Sequence, residues 1–331
     1  MSRVLVVPRQ LKSGSQRFHQ ILSESGFSVE YFPSDLDPME TQFMIETLKQ
    51  GEFDAVLAGS EPYTDSVLEV APLLRVIARV GVGYDAVDLE AASYRKIAVT
   101  IAPGTNEEAV AEHTIAMLLC IGRNLVARDR DVRNAKWRRV PVLAPVRSCC
   151  LGIVGLGRIG REVVIRAQAM GMRVVAYEPY PDRDFVRERS IDLIELEELF
   201  EKSDYITLHV PMNTETAGMI NRESLARMKT GSVLINTARG GLIKEQDLLE
   251  ALREGPLAAA ALDVLEIEPA DETNPLLLQD NILLTPHIAG IDTLSVANMA
   301  EKAAQVVVDL NQGKWPEDAV VNPQLKPEWK W

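Results

Sequence analysis

The sequence predicts an α/β protein built from two doubly wound parallel sheets, and three observations carry that prediction. Short continuous apolar runs alternate with polar, helix-forming stretches along almost the whole chain, which is the pattern of βα repeats whose strands are buried on both faces. The alternation is interrupted once, at Ile101-Ala102-Pro103-Gly104-Thr105-Asn106, and then resumes. The length of 331 residues also exceeds what one hydrophobic core usually organises, so two domains are the default expectation.

In chain order, residues 4–7, 55–58 and 74–78 read as strands of a first sheet, the last leading into Val80-Gly81-Val82-Gly83-Tyr84-Asp85. Pro103-Gly104 then breaks the chain. Glu107 and Glu108 follow in the first turn of a long helix running to about Gly122, where negative charge suits the positive dipole end. A domain boundary is expected there. Six further strands are expected at 151–154, 174–177, 205–210, 232–236, 258–264 and 282–285. A final helix from about Thr293 to Asn311 carries apolar Leu294, Met299, Val306, Val307 and Leu310, and stops at Gly313 with Pro316 beyond. Because it follows the sixth strand, it is expected to cross back to the first domain. The domains are therefore assigned as 1–101 plus 290–331, with 102–289 between them.

Charge and cysteine usage exclude several functions. Asp and Glu outnumber Lys and Arg by 48 to 35, a formal net charge of -13, so a phosphate-backbone binder or a ligand of anionic membranes is not expected. No apolar run approaches the roughly 18 to 20 residues that span a bilayer, and 4–7 is too short for a secretory signal. The chain reads as soluble and cytoplasmic. Cys120, Cys149 and Cys150 lack zinc-ligand spacing and read as ordinary thiols, and no metal site is expected.

Gly155-Leu156-Gly157-Arg158-Ile159-Gly160 is a GxGxxG placed directly after the strand 151–154 and at the start of a helical pattern. The next strand ends in Tyr177-Glu178. These are the three parts of the dinucleotide-binding βαβ unit of a Rossmann domain. Gly155 permits the tight turn, Gly157 removes a side chain where pyrophosphate approaches, and Gly160 lets helix and strand pack closely. The helix N-terminus, beginning near Arg158 and Ile159, presents free N–H groups and a positive dipole to phosphates. Glu178 is placed to accept hydrogen bonds from the ribose hydroxyls and to repel a 2′-phosphate, so NAD is favoured over NADP.

The chain has four histidines, His19, His113, His209 and His287. His19 and His113 lie in helical stretches and read as structural or surface residues. His209 ends a strand just before Pro211 on the cofactor side of such a sheet, where a backbone-positioning role fits. His287 follows the last strand, in Thr285-Pro286-His287-Ile288-Ala289-Gly290, at the carboxyl edge where open α/β sheets bind ligands. Asn236-Thr237-Ala238-Arg239-Gly240-Gly241 and the segment from Asp263 through Glu268 to Pro269 end at the same edge. An Arg, a Glu and a His thus follow successive strands.

On these motifs the chain resembles the D-isomer-specific 2-hydroxyacid dehydrogenase family over essentially its whole length. The resemblance rests on the 80–85 turn, the GxGxxG unit, His209-Val210-Pro211-Met212-Asn213-Thr214-Glu215-Thr216, Thr-Ala-Arg-Gly-Gly, Asp-x5-Pro and Thr-Pro-His-Ile-Ala-Gly. It implies a Rossmann NAD-binding domain inserted in a flavodoxin-like substrate domain. It also implies that Arg239 clamps the substrate carboxylate and 2-oxo oxygen, that His287 is the acid and base at C2, and that Glu268, paired with His287, favours the imidazolium. Asp263 is implied near the nicotinamide carboxamide. His209, Val210, Pro211, Thr216, Thr237, Ala238 and Gly290 are implied along the cofactor, and backbone N–H groups at Val80-Gly81 on the substrate.

Within the family the arrangement is most similar to short D-3-phosphoglycerate dehydrogenases, with Gly59-Ser60-Glu61-Pro62 and Arg79 ahead of the glycine pair. Two departures stand out: Glu178 replaces the usual Asp, and Ala58 stands where some relatives carry Arg. Arg138 and Arg139 read as a solvated basic run. 3-Phosphoglycerate is the expected substrate. The alternatives are a glyoxylate or hydroxypyruvate reductase, another D-2-hydroxyacid dehydrogenase, or an NAD-sensing scaffold resembling the C-terminal-binding-protein corepressors. The sequence ends at Trp331 without the length for an appended serine-sensing domain, so feedback of that kind is not expected. A homodimer is expected, joined through the NAD-binding domains by the helix after Asn106 and the arm containing Trp137.

Overall fold

The computed structural model describes residues 2–11, 16–139 and 146–331. The chain divides into two compact units, Met1–Asn106 with Ile291–Trp331, and Glu107–Gly290. The second unit is therefore one continuous insertion in the sequence of the first. The first crossing lies five residues later than expected. Residues 102–106 stay with the first unit, where the N–H of Ile101 donates to the Ala319 carbonyl and that of Ala102 to the Gly81 carbonyl.

The first unit holds a parallel sheet of β1 (Arg3–Val6), β2 (Ser28–Tyr31), β3 (Ala55–Ala58), β4 (Val76–Arg79) and β5 (Ala98–Thr100). Their spatial order is β2-β1-β3-β4-β5, the flavodoxin-like winding. β3, β4 and β5 are buried at every residue, which is why they read as continuous apolar runs. On one face Val4, Val6, Val76 and Ala78 pack with Met299, Val306 and Val307 of the Thr293–Asn311 helix, which does return to this unit. On the other, Leu5, Val56 and Ile77 meet Met44, Leu48, Val67 and Ala92. β2 and β5 lie outside the expected strands. β2, Ser-Val-Glu-Tyr, is an edge strand that is only half-buried throughout and so has no apolar run, while β5 is three residues long.

Among its described residues the second unit holds seven parallel strands: β6 (Cys150–Val154), β7 (Arg173–Tyr177), β8 (Asp192–Leu193), β9 (Tyr205–Leu208), β10 (Ser232–Asn236), β11 (Leu257–Leu262) and β12 (Ile282–Leu284). The order β12-β11-β10-β9-β6-β7-β8 is that of a dinucleotide-binding sheet extended by one strand, and the winding reverses between β6 and β9. Six of the seven match expected strands. The seventh, β8, pairs with β7 at an edge through only two residues, too few to show a period. The Glu107–Gly122 helix packs on this sheet through Ala111, Met117 and Leu118.

Among the described residues no single helix is long and apolar enough to cross a membrane; Glu107–Gly122 and Leu125–Arg133 meet that test only jointly, across a 57° bend.

Candidate active site

The glycine turn lies where the winding reverses. Gly155 follows β6 with φ +97°, and a Cβ there would stand 2.7 Å from the carbonyl oxygen of His209, the residue after β9. The two strands are thus close enough at this point that only glycine fits. A Cβ on Gly160 would stand 2.2 Å from the Gly155 carbonyl oxygen, so that glycine serves the packing of the turn itself. A Cβ on Gly157 would meet nothing within 4 Å. Gly157 caps the Arg158–Ala169 helix, whose first N–H groups open at this turn. Open space in front of a helix N-terminus fits a pyrophosphate.

Glu178 is the first residue after β7, which ends Val175-Ala176-Tyr177. Its Oε2 accepts the Leu156 N–H at 2.8 Å, inside the glycine turn, and its Oε1 accepts the Tyr180 N–H at 2.9 Å. The carboxylate therefore braces the turn as well as standing at the end of β7. Arg158 and Ile159 begin the helix, the Arg158 guanidinium lying 3.9 Å from Glu107.

His209 donates its backbone N–H to Val154, tying β9 to β6. Its Nε2 lies 3.0 Å from the Thr207 hydroxyl, its Nδ1 is shielded from solvent, and burial pushes the ring pKa down to about 3. It is a neutral imidazole at pH 7. Beyond it, the Thr216 hydroxyl donates to the Pro211 carbonyl and closes the loop after Val210.

His287, Glu268 and Arg239 come together. His287 Nδ1 is 2.7 Å from Glu268 Oε2, and Glu268 Oε1 accepts the Leu265 N–H at 2.9 Å. Burial alone would raise the Glu268 carboxyl, but the hydrogen bonds from His287 and Leu265 and the charges of His287 and Arg239 outweigh it and hold it below the usual carboxylate range. Arg239 is brought near by Gly240, where a Cβ would stand 1.9 Å from the Leu265 carbonyl oxygen, so the two turns touch backbone to backbone. The Asn236 side chain steadies the same turn, donating to the Arg239 carbonyl at 2.8 Å.

Several expected site residues are engaged within the protein, Arg239 among them, its Nη1 donating to the Ala238 carbonyl at 2.7 Å. Asp263 is 1% exposed, and its carboxylate accepts from the Thr285 hydroxyl (2.6 Å) and from the N–H groups of Ile288 (2.9 Å) and Ala289 (2.8 Å). Both of its oxygens thus organise the turn that carries His287 and ends at Gly290. The Thr237 hydroxyl is buried against Thr114, 2.8 Å away. In the first unit, Arg79 is 8% exposed and donates to the carbonyls of Gly83 (2.8 Å) and Ala58 (3.1 Å), with the buried Glu61 carboxylate close by. It braces the turn that carries Val80-Gly81. Gly59 donates its N–H to Glu61, and Ser60 beside it is exposed.

Sequence reasoning missed His113 as a neighbour of this site. Its Nε2 lies 3.1 Å from the Thr285 hydroxyl, a pairing across 172 positions that no local pattern signals. Among the described residues no three His, Cys, Asp or Glu side chains group as a metal site.

The sequence profile of the D-isomer specific 2-hydroxyacid dehydrogenase NAD binding domain matches residues 115–289. The chain belongs to the D-isomer specific 2-hydroxyacid dehydrogenase family. A glyoxylate reductase of Korarchaeum cryptofilum is 38% identical to this family member over 90% of the chain and 92% of its own length. A D-3-phosphoglycerate dehydrogenase of Archaeoglobus fulgidus is 38% identical over 83% of the chain and 53% of its own length. The chain thus spans about half the length of the phosphoglycerate dehydrogenases it matches. The D-lactate dehydrogenase of Aquifex aeolicus, solved with NAD and lactic acid, superposes with a TM-score of 0.79 at 30% identity, covering 94% of this chain and 96% of that one.

Proposed function

We propose that this dehydrogenase interconverts a D-2-hydroxy acid and its 2-oxo acid with NAD. The observation that carries the reading is the 2.7 Å pairing of His287 with Glu268 beside Arg239, at the carboxyl edge of an NAD-binding sheet. When bound on the Gly155–Gly160 turn, NAD supplies the hydride acceptor for oxidation and NADH the donor for reduction. Glu268, held ionised, can only accept, so His287 Nδ1 carries a hydrogen and Nε2 handles the substrate proton. In oxidation neutral Nε2 takes the C2 hydroxyl proton; in reduction the imidazolium returns it. Arg239 offers a planar fork to the substrate carboxylate.

3-Phosphoglycerate is the first substrate to test, on the names of relatives. A small unphosphorylated acid such as glyoxylate or hydroxypyruvate is the second reading, favoured by the commitment of Arg79 to backbone carbonyls. Assays of 3-phosphoglycerate and a panel of 2-oxo acids with both cofactors decide between them. His287→Ala is expected to lower turnover by about 10²- to 10⁴-fold while NADH binding, read by fluorescence titration, survives. Wild-type turnover in that variant refutes the reading. We further infer a homodimer joined through the NAD-binding units.

A further inference from the structure

Two adjacent residues of the Glu107–Gly122 helix reach the two turns that carry Arg239 and His287. The Thr285 hydroxyl donates to Asp263 at 2.6 Å, so its proton is committed, and it accepts from His113 Nε2 at 3.1 Å. That ring nitrogen also stands 3.6 Å from Asp263 Oδ1. Thr285 lies two residues before His287, whose N–H donates to the carbonyls of Asp263 and Thr285. The neighbouring Thr114 hydroxyl donates to the Val110 carbonyl at 2.8 Å and so accepts from the Thr237 hydroxyl at 2.8 Å, two residues before Arg239.

We propose that His113 and Thr114 are positioning residues that set the placement of His287 and Arg239 relative to each other. A single helix segment bonds to both turns, so a shift in either is resisted by the same rigid element. Neither residue belongs to a motif that carries the chemistry. The inference rests on the catalytic reading above for its kinetic consequence, and on geometry alone for its structural one.

Two variant pairs test it. His113→Phe keeps the ring but loses the N–H, whereas His113→Gln keeps an N–H donor. His113→Phe is expected to lower kcat about 10- to 100-fold with little change in KM for the 2-oxo acid, and His113→Gln to restore most of it. Thr114→Val is expected to raise that KM as well, through Arg239, and Thr114→Ser to restore it. A second readout needs no turnover. The His287 ring signals, assigned by their loss in His287→Ala, are expected to move in ligand-free His113→Phe toward those of an unpaired imidazole and to stay in place in His113→Gln.

Folded His113→Phe with wild-type kcat and unmoved His287 signals overturns the proposal, as does equal impairment of the Phe and Gln variants. If His113→Phe does not fold, the Thr114 pair decides, and equal KM values in Thr114→Val and the wild type overturn it. If the wild type turns over no acid in the panel, the catalytic reading fails, and the ring signals alone decide the positioning.

Discussion

His287 holds its Nδ1 2.7 Å from Glu268 while its own backbone sits in the left-handed region at φ 55°. A non-glycine residue in that conformation costs energy that the surrounding contacts must offset. The contacts here are the Asp263 hydrogen bonds to residues 285, 288 and 289 and the carboxylate of Glu268.

The depressed Glu268 carboxyl fixes the sign of a pH effect. A carboxylate whose folded value lies below its unfolded one stabilises the fold above the unfolded value, and that contribution is lost as pH falls through the folded value. Glu268→Gln is therefore expected to melt below the wild type at pH 7 and to converge with it only as pH falls from the ordinary carboxylate value of about 4.3 through the lower folded one. Because the side chain is partly exposed, solvent screening keeps the difference small. Thermal melts across that range check it, and a gap that widens toward acid contradicts the assignment.

Two glycines of one motif are expected to fail differently. At Gly160 an added methyl meets backbone 2.2 Å away, so Gly160→Ala should cost roughly 1–3 kcal/mol of stability, the usual range for overpacking. At Gly157 the same methyl meets nothing within 4 Å, so Gly157→Ala should keep the wild-type melting temperature and weaken NADH binding. Melting curves and cofactor titrations of both variants check the contrast. A Gly157→Ala protein that binds NADH normally removes the pyrophosphate from that space.

Much of this was legible because the candidate site sits directly after apolar runs. Arg239 and His287 follow β10 and β12 by a few residues, so finding the strands found the edge. The direction of a side chain at that edge was not legible. Arg79 ends β4 and could as well have pointed to solvent; its burial against the carbonyls of Ala58 and Gly83 depends on β3 lying beside β4. Asp263 likewise follows β11, yet the turn at 285–289 closes over it. The tie from His113 to Thr285 joins a helix and a loop 172 positions apart, and only the packed fold brings them together.

The Leu125–Arg133 helix buries none of its residues within the chain, and Leu125, Val126, Val132 and the following Trp137 are exposed. Apolar side chains gathered on one such arm suit an interface between copies. A dimer is expected by light scattering at micromolar concentration, and Val126→Glu with Val132→Glu is expected to shift it toward monomer. A wild-type monomer at that concentration contradicts the dimer.

Glu178 carries the last prediction, on the choice of cofactor. Its carboxylate stands at the end of β7 and grips the Leu156 N–H of the glycine turn, and we propose that its negative charge lies beside the adenosine ribose. A 2′-phosphate brought there meets like charge at short range, and the hydroxyl of NAD meets an acceptor. NADH is therefore expected to exceed NADPH in kcat/KM. Glu178→Gln, which removes the charge and keeps an amide oxygen for Leu156, is expected to narrow that ratio chiefly by improving NADPH. Steady-state kinetics with both cofactors checks it, and an unchanged ratio in Glu178→Gln means that the selectivity lies elsewhere on the turn.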